Sequence, residues 1–271
     1  MSITRIAILG DAEPKPEPTF THTASAVQVI NRLDEQAPIA FVASVGDLAH
    51  KGTIAQYEAV GEHMIALRPP LLPILGNEEL VAEGGAGRLL RYTAKWNSGD
   101  SEQGVGLVRE LSYTRRLAGH LFVFASAMDG GKEFVDEEID WIEAQLDAGG
   151  ELSAIVFMHN APAGLFCPER AMQRPTFAQR VLARDNVIAT FSGHLHMNID
   201  QWPGHARCAR GVHHIHAPGL ERTKLGSRHV PRFRLLTIER QHVTVQTYNL
   251  ATHRFEPEHE LSLGSDPALS R

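Results

Sequence analysis

Five short polar motifs, each at the end of an apolar run, hold residue types that bind divalent metals. They are Gly10-Asp11-Ala12-Glu13, Gly46-Asp47, Gly76-Asn77-Glu78-Glu79, His159-Asn160 and Gly193-His194-Leu195-His196. Carboxylate and amide oxygens together with imidazole nitrogens suit a pair of divalent transition metals, which activate water and stabilise negative charge. Each motif alone is weak evidence, but the ordered set of five indicates a two-metal site.

The apolar runs before the motifs are the elements that position them. Residues 3–9, 39–45 and 71–75 are predicted to be buried strands, because each is short and apolar and leads into a loop of Gly and polar residues. Helices are predicted over about 21–35 and 54–67, between these strands. This alternation indicates an α/β fold with a mostly parallel sheet. Ligands bind such sheets beyond the carboxyl ends of the strands, so the first three motifs are predicted to converge.

The rest of the chain is predicted to deliver the remaining motifs in the same way. Strands over 152–158 and 187–191 lead into His159 and into the pair His194 and His196. The pattern also indicates a hairpin, a helix and two antiparallel strands, over 110–126, 134–148, 233–238 and 243–248. We interpret the chain as one domain over 1–271, in which 81–106 is an insertion or lid and 264–271 a flexible tail.

The composition is that of an ordinary soluble globular protein, with 271 residues of which 43% are hydrophobic and 21% charged. The formal net charge of -6 argues against nucleic acid or an anionic membrane as the main partner, whereas a small phosphorylated substrate is compatible with it. Cys167 and Cys208 are interpreted as free thiols. The N-terminal pattern and the lack of an apolar run of ~20 residues predict a cytoplasmic protein without a membrane span. The composition does not indicate an oligomeric state.

In order and spacing, the five motifs resemble those of the calcineurin-like metallophosphoesterase superfamily, from Asp11 to His196. That family has Asp-x-His, Gly-Asp, Gly-Asn-His-Asp/Glu, a lone His and Gly-His-x-His after its strands. The resemblance implies a calcineurin-like four-layer α/β/β/α sandwich, in which two mixed β-sheets are flanked by helices. It also implies two divalent metal ions (Mn, Fe or Zn) that are bridged by Asp47. The implied ligands are Asp11, Glu13, Asp47 and His196 for one ion and Asp47, Asn77, His159 and His194 for the other; the implied catalytic residues are Asp47, Glu78 and His194.

Glu13 stands where the family has the histidine of Asp-x-His. A carboxylate can replace an imidazole there, since its oxygen binds divalent metals at ~2.0–2.2 Å. As a ligand, Glu13 would make this half of the site rich in oxygen and favour Mn²⁺ over Zn²⁺. The alternative is that Glu13 points to solvent from a Pro-rich loop and that the first metal is weakly bound or absent.

Glu78 stands where the family has the histidine of Gly-Asn-His, and Glu79 matches the acidic residue that follows. In the family, that histidine stabilises the transition state or protonates the leaving group. Glutamate can donate a proton only if its pKa is raised by burial or by nearby carboxylates. Alternatively, Glu78 is only a hydrogen-bond acceptor, and the enzyme depends on good leaving groups. Both readings stay open.

Three functional hypotheses follow from the motifs and the resemblance. The first is a metal-dependent phosphohydrolase that cleaves a phosphodiester, nucleotide or small phosphomonoester by attack of a metal-bridging hydroxide. The second is a catalytically impaired scaffold of the same fold that binds a ligand or protein partner, which the glutamates at Glu13 and Glu78 favour. The third is a nuclease, against which the acidic balance argues.

Other polar residues carry weaker predictions. His50 is a candidate contact for a substrate phosphate, and Asn160 either orients substrate or fixes its loop. His214 and His216 are predicted to share one strand face, with structural and substrate roles both open. The neighbouring His213 also has either a structural or a substrate role. Arg207, Arg210 and Arg222 are either ordinary surface residues or contacts for an anionic group.

Overall fold

Two β-sheets pack face to face in the computed structural model, which describes residues 3–15, 17–97, 108–166, 173–202, 205–240 and 242–263. In chain order the strands are β1 (Ile3–Leu9), β2 (Ile39–Ser44), β3 (Leu71–Pro73), β4 (Tyr113–Leu117), β5 (His120–Phe124), β6 (Ser153–Phe157), β7 (Val187–Ser192), β8 (Ala206–Ala209), β9 (Val212–His216), β10 (Arg232–Glu239), β11 (His242–Asn249), β12 (Arg254–Phe255) and β13 (Leu261–Leu263). The helices are α1 (Thr21–Gln36), α2 (Ile54–Met64), α3 (Gly85–Trp96), α4 (Asp136–Gly149) and α5 (Pro175–Arg180).

Both sheets are mixed: the parallel strands of the first sheet lie at one edge, and those of the second lie in its middle. The first has the order β12-β11-β10-β1-β2-β3, with β13 paired to β11, and the second has the order β4-β5-β6-β7-β9-β8. The pairs β1/β2 and β2/β3 are parallel, and so are β5/β6, β6/β7 and β7/β9. The remaining pairs are antiparallel. The mostly parallel sheet predicted from the strand and helix rhythm describes β1, β2 and β3 and the middle of the second sheet, whereas β10, β11 and the other late strands of the first sheet add antiparallel neighbours.

Three apolar layers hold these sheets and helices together. Between the sheets, aromatic side chains interlock, with Phe41 edge-on to Phe122 at 5.5 Å between ring centroids. Outside the first sheet α1, α2 and α3 cover one core, and outside the second sheet α4 and α5 cover another. Burial of each large apolar side chain stabilises the fold by ~1.5–3 kcal/mol. The four-layer α/β/β/α sandwich implied by the family resemblance is confirmed.

Part of the predicted insertion is a regular helix. Helix α3 packs Leu89 and Trp96 into the core of the first sheet, and its Tyr92 stacks on Tyr57 of α2 at 5.0 Å. Residues 98–107 and 264–271 and Cys167 lie outside the described residues, and Cys208 is a free, exposed thiol. Among the described helices, none combines the length and the apolar character needed to cross a bilayer.

Candidate metal centre

The carboxyl ends of the central strands of both sheets meet at one edge of the sandwich. The amides of Ala12 and Glu13, after β1, donate to the carbonyl of Asp47, after β2, at 3.0 and 2.9 Å. His159, after β6 in the other sheet, donates from Nδ1 to the Val45 carbonyl at 2.8 Å. These contacts join loops from both sheets, so the predicted convergence of the strand-end motifs is observed.

One cluster of donor atoms combines the Asp47 carboxylate with two imidazoles and an amide. Asp47, His159 and His194 each place a possible ligand atom within 4.8 Å of the others. His159 Nε2 lies 3.3 Å from Asp47 Oδ2, 3.2 Å from His194 Nδ1 and 3.2 Å from Asn77 Oδ1. The four residues predicted to hold the second ion are therefore brought together.

A second cluster shares Asp47 and adds Asp11 and His196, again with possible ligand atoms within 4.8 Å of one another. His196 Nε2 lies 3.2 Å from Asp11 Oδ1. Asp11 also joins the two clusters, because the backbone amide of His194 donates to both of its carboxylate oxygens at 2.8 and 2.9 Å.

Unusual backbone conformations hold these side chains in place. Asp47, His194 and His196 have φ angles of 53°, 67° and 44°, a region that residues other than glycine rarely occupy and that is concentrated at functional sites. Gly76 is needed beside them, because an added Cβ would lie 2.2 Å from Asp47 Oδ1. The turns after β2 and β7 are thus shaped around the carboxylate and the two imidazoles.

The residues present fit a pair of divalent ions. Asp47 Oδ2 and His196 Nε2 are buried and make no hydrogen bond to the described part of the chain. Buried polar atoms are normally satisfied, so such orphans call for an ion or water. Carboxylate and amide oxygens with imidazole nitrogens are ligands that Mn²⁺, Fe²⁺ and Zn²⁺ accept.

The electrostatics of the two imidazoles near Asp47 differ. Burial by itself lowers the pKa of His159, but the negative charge of Asp47, 3.3 Å away, raises it to about 9. Burial lowers the pKa of His194 to about 3, and the neighbouring His159 acts in the same direction. The charge of Asp47 therefore favours protonated His159, and a divalent ion bound by these side chains would take the place of that proton.

Glu79 holds the loop that carries Asp47. Its carboxylate accepts hydrogen bonds from the amides of Asp47, Ala49 and Gly76 at 2.9, 3.0 and 2.8 Å. The side chain is fully buried, and burial together with the Asp47 charge raises the pKa of Glu79 to about 8. Glu79 thus fixes the backbone on which Asp47 is placed, and does not itself reach the clusters identified among the described residues.

Glu13 does not point to solvent, so that reading of the sequence is wrong. Its side chain is fully buried beside the Asp11 cluster, with Oε1 3.5 Å from His196 Nε2. The same oxygen is ion-paired with Arg222 and lies 3.7 Å from Lys224 Nζ. Burial raises the pKa of Glu13, and the hydrogen bond from Arg222 offsets part of that effect. Glu13 is therefore at the site, in contact with cationic side chains.

Glu78 is also paired with bases. Its carboxylate accepts from Lys15 Nζ at 2.9 Å and from the Lys51 amide at 3.0 Å, and it lies 2.7 Å from His50 Nδ1. Burial by itself raises the pKa of Glu78, but the hydrogen bonds from Lys15 and the Lys51 amide lower it below its ordinary value. This environment favours the carboxylate, which cannot donate a proton.

Some of the other residues singled out in the sequence contact neighbouring groups of the protein, and others are simply buried or exposed. Asn160 donates to the Lys132 carbonyl at 2.6 Å, and His214 Nδ1 lies 2.8 Å from the Thr190 hydroxyl. His216 is fully buried, whereas His213 is half-buried. Arg207 and Arg210 are exposed.

Three basic residues at the site left little signal in the sequence. Lys15 and Lys224 belong to no motif, and Arg222 gave no sign of its contact with Glu13. Each lies in a loop whose partner is distant along the chain, so no periodic pattern marks it. Short spacing to the metal-ligand motifs would have pointed only to Lys15, which follows Glu13 by two residues.

Comparisons with known proteins agree with this geometry at the level of the fold and of one partial sequence match. No family model matches the chain. The glycerophosphodiester phosphodiesterase GpdQ of Enterobacter lignolyticus is 29% identical over 180 residues, which cover 64% of this chain and 61% of that protein. The match therefore spans less than two thirds of the relative's length.

Among solved structures, the sulfate thiohydrolase SoxB of Thermus thermophilus in complex with glycerol matches with a TM-score of 0.51 and 8% identity, over 96% of this chain and 58% of that one. Vps29 of Entamoeba histolytica complexed with Zn²⁺ matches with a TM-score of 0.45 and 12% identity, over 97% of this chain and all (100%) of that one. At these identities, the SoxB match is a likeness of fold alone. Together with the GpdQ match it agrees with the motif resemblance.

Proposed function

Because the chain belongs to the calcineurin-like metallophosphoesterase superfamily, we propose that it is a metal-dependent phosphohydrolase that cleaves a phosphodiester, nucleotide or small phosphomonoester. The observation that carries the proposal is the pair of buried donor clusters that share Asp47. Ions held by two clusters that share one carboxylate would be close enough to act on a single phosphoryl group. The name of the GpdQ relative, a glycerophosphodiester phosphodiesterase, is consistent with a phosphodiester substrate.

The proposed ligands follow the two clusters. Asp11, Asp47 and His196 would hold one ion, and Asp47, Asn77, His159 and His194 would hold the other. Divalent ions bound there lower the pKa of water and neutralise the negative charge of the phosphoryl group. Oxygen donors from Asp11, Asp47 and Asn77 favour Mn²⁺ as the working ion. Glu13 is left out of this set because Arg222 is ion-paired with its Oε1.

The open side of the site is basic, which suits an anionic substrate. Asp11, Asp47 and Glu13 are fully buried. The partly exposed side chains that contact Glu13 or Glu78 are all bases: Lys15 is 37% exposed, Arg222 23%, Lys224 22% and His50 15%. A phosphoryl group approaching the buried carboxylates therefore meets positive charge first.

Metal analysis and a hydrolysis assay test the proposal. Protein reconstituted with Mn²⁺ should contain close to two ions per chain, and it should hydrolyse bis-p-nitrophenyl phosphate. Asp47→Ala removes the carboxylate shared by both clusters, so we expect it to lose both ions and at least about 1,000-fold in rate. The variant Arg207→Ala, at an exposed position, is the matched control and should retain both the two ions and the wild-type rate. Wild-type rates at background with every divalent metal, on diesters and monoesters, would reject the hydrolase.

The alternative is a catalytically impaired scaffold that binds a ligand or protein partner. The carboxylates of Glu13 and Glu78 favour it, since both are ion-paired with bases at positions where the family has histidines. A scaffold should still bind metal through the two clusters, so ion content without hydrolysis is the result that distinguishes it.

The surroundings of Glu78 support an acceptor role in the proposed enzyme. If Glu78 holds Lys15 and His50 in place, Glu78→Gln should slow good and poor leaving groups by the same factor, roughly tenfold. A proton donor would matter most for the poor leaving group. A loss confined to alkyl phosphodiesters, with p-nitrophenyl substrates unaffected, would overturn the acceptor role.

A further inference from the structure

The Glu13 carboxylate makes its short contact with an arginine, although the sequence places it among metal ligands. Oε1 is ion-paired with Arg222 and lies 3.7 Å from Lys224 Nζ, while Oε2 lies 3.6 Å from His50 Nδ1. A divalent ion on Oε1 would share that oxygen with a guanidinium of the same sign. The contacts of Oε1 therefore describe a counterion for Arg222, while Oε2 is buried and makes no hydrogen bond to the described residues.

Arg222 is attached to the candidate metal centre through its backbone as well as its side chain. Its carbonyl lies 3.2 Å from His196 Nδ1. Gly219 makes this contact possible, because an added Cβ there would lie 2.6 Å from the Arg222 carbonyl oxygen and 2.7 Å from His196 Nδ1. The residue that orients one proposed ligand therefore also brings a guanidinium to the site.

The loop that carries Arg222 is anchored on both sides. Before it, the Leu220 amide donates to the Asp11 carbonyl at 2.7 Å, and the Glu221 carboxylate accepts from the amides of His22 and Thr23 at 3.2 and 2.6 Å. After it, the Lys224 amide donates to the His196 carbonyl at 2.9 Å. Such anchoring holds a binding group in place before a ligand arrives.

Arg222 has donors to spare. A guanidinium carries five N–H groups, and within the described residues its one hydrogen-bond acceptor is Glu13. Its Nε is buried without a partner there. Lys224 Nζ lies 3.4 Å from the carbonyl oxygen of His194, so this second cation lies beside a proposed ligand of the other ion.

We propose that Glu13 positions Arg222, and that Arg222 together with Lys224 forms a binding site for the non-bridging oxygens of a phosphoryl group beside the metal pair. The planar fork of arginine matches two such oxygens, and its fixed charge suits them. This inference rests on the proposed function for its substrate class. In it, Glu13 is a positioning residue and Arg222 a substrate-binding residue.

Inorganic phosphate is the probe that tests this site without turnover. Calorimetry on Mn²⁺-loaded protein would compare the Kd of phosphate for wild type, Arg222→Gln, Glu13→Gln and the double variant, with ion content measured for each. We expect Arg222→Gln to weaken phosphate binding about tenfold or more at unchanged ion content. Glu13→Gln should weaken binding less, because Arg222 remains but is no longer held. Exposed Arg207→Gln is the control and should bind as wild type does.

The double variant separates binding from mere charge compensation. If Arg222 binds phosphate, Glu13→Gln/Arg222→Gln should bind as weakly as Arg222→Gln. Recovery of the wild-type Kd in the double variant would overturn the proposal, because it would mean that Arg222 serves only to neutralise a buried carboxylate. Arg222→Lys, which keeps the charge, should bind phosphate better than Arg222→Gln and covers the case in which the latter does not fold.

Two further outcomes separate this inference from the proposed function. Loss of one ion per chain in Glu13→Gln would make Glu13 a ligand and overturn the positioning role. A wild-type protein without hydrolysis, but with phosphate binding that depends on Arg222, would reject the hydrolase and leave the phosphate site standing.

Discussion

Two histidine pairs of identical spacing belong to neighbouring strands of the second sheet, one just after β7 and the other within β9, and their surroundings differ. His194 and His196 follow the end of β7, where both have positive φ angles and lie beside Asp47 and Asp11. His214 and His216 lie within β9, the neighbouring strand, in register with Thr190 and Ser192 of β7. The first pair therefore points its rings at different carboxylates, and the second pair shares one strand face.

The partners of the two pairs differ accordingly. His194 and His196 contact possible ligand atoms of His159 and Asp11 at 3.2 Å. His214 is matched to a hydroxyl, and His216 Nε2 accepts from the Met197 amide at 3.2 Å. The comparison teaches that His-x-His spacing alone does not identify ligands; what distinguishes them is a strand end with carboxylates nearby.

The largest expected effect separates the two pairs directly. Alanine at His194 or His196 removes a ligand, so each variant should lose about one ion per chain and at least about 100-fold in hydrolysis. His214→Ala should keep both ions and a rate within about twofold of wild type. Ion loss in His214→Ala, measured by elemental analysis, would break the distinction.

An intermediate effect is expected for His216, which supports the turn after His196 without touching a proposed ion. His216→Ala leaves the Met197 amide without its acceptor, so Mn²⁺ binding should weaken roughly tenfold. Calorimetric titration of the metal-free protein measures this. An unchanged affinity would show that the turn holds itself in place.

Acid sensitivity gives a third, smaller difference. Burial lowers the pKa of His214 from 6.5 to about 4. Below pH 6.5 the unfolded chain takes up the proton while the folded chain does not, so stability is full above pH 6.5 and falls as pH decreases toward 4. This loss amounts to about 1–3 kcal/mol.

Urea unfolding of metal-free wild type and His214→Gln between pH 7.5 and 4 isolates that contribution, because the other histidines are common to both. The variant should lose less stability over this range. Parallel pH profiles for the two proteins would contradict a neutral, buried His214.

The smallest expected effect concerns the hydroxyl that pairs with His214. Thr190→Val keeps the shape and removes the partner of Nδ1, which should cost about 0.5–1.5 kcal/mol of unfolding free energy without loss of ions. Thr190→Ser, which keeps the hydroxyl, is the control and should recover most of that loss. If both variants lower the free energy of unfolding by the same amount, the stability at this position comes from the methyl group of Thr190 and not from its hydrogen bond.

Much of the fold could be predicted because apolar periodicity is a local property. Strands predicted over 3–9, 39–45 and 187–191 match β1, β2 and β7 within one residue at each end. The pairing of strands was less accessible, since the antiparallel partner of β1 is β10, more than 200 residues later in the chain. Local patterns do not carry such long-range pairing.

The candidate site divides in the same way. The sequence was enough to predict four residues of the site, because each follows an apolar strand and the ends of parallel strands meet at one edge. They are Asp11, Asp47, His159 and His194. The environment of Glu13 could not be predicted in this way. The hypothesis that its side chain points to solvent was wrong, because loops from both sheets enclose it.

The sequence by itself thus determined which donor atoms are available and at which strand ends they lie, because strand formation and side-chain chemistry are local. Only the tertiary structure decided what Glu13 does, since its partner Arg222 is 209 residues away and reaches it by the packing of two loops. That packing pairs a residue of metal-ligand type with an arginine, because a buried carboxylate is stabilised by a nearby cation.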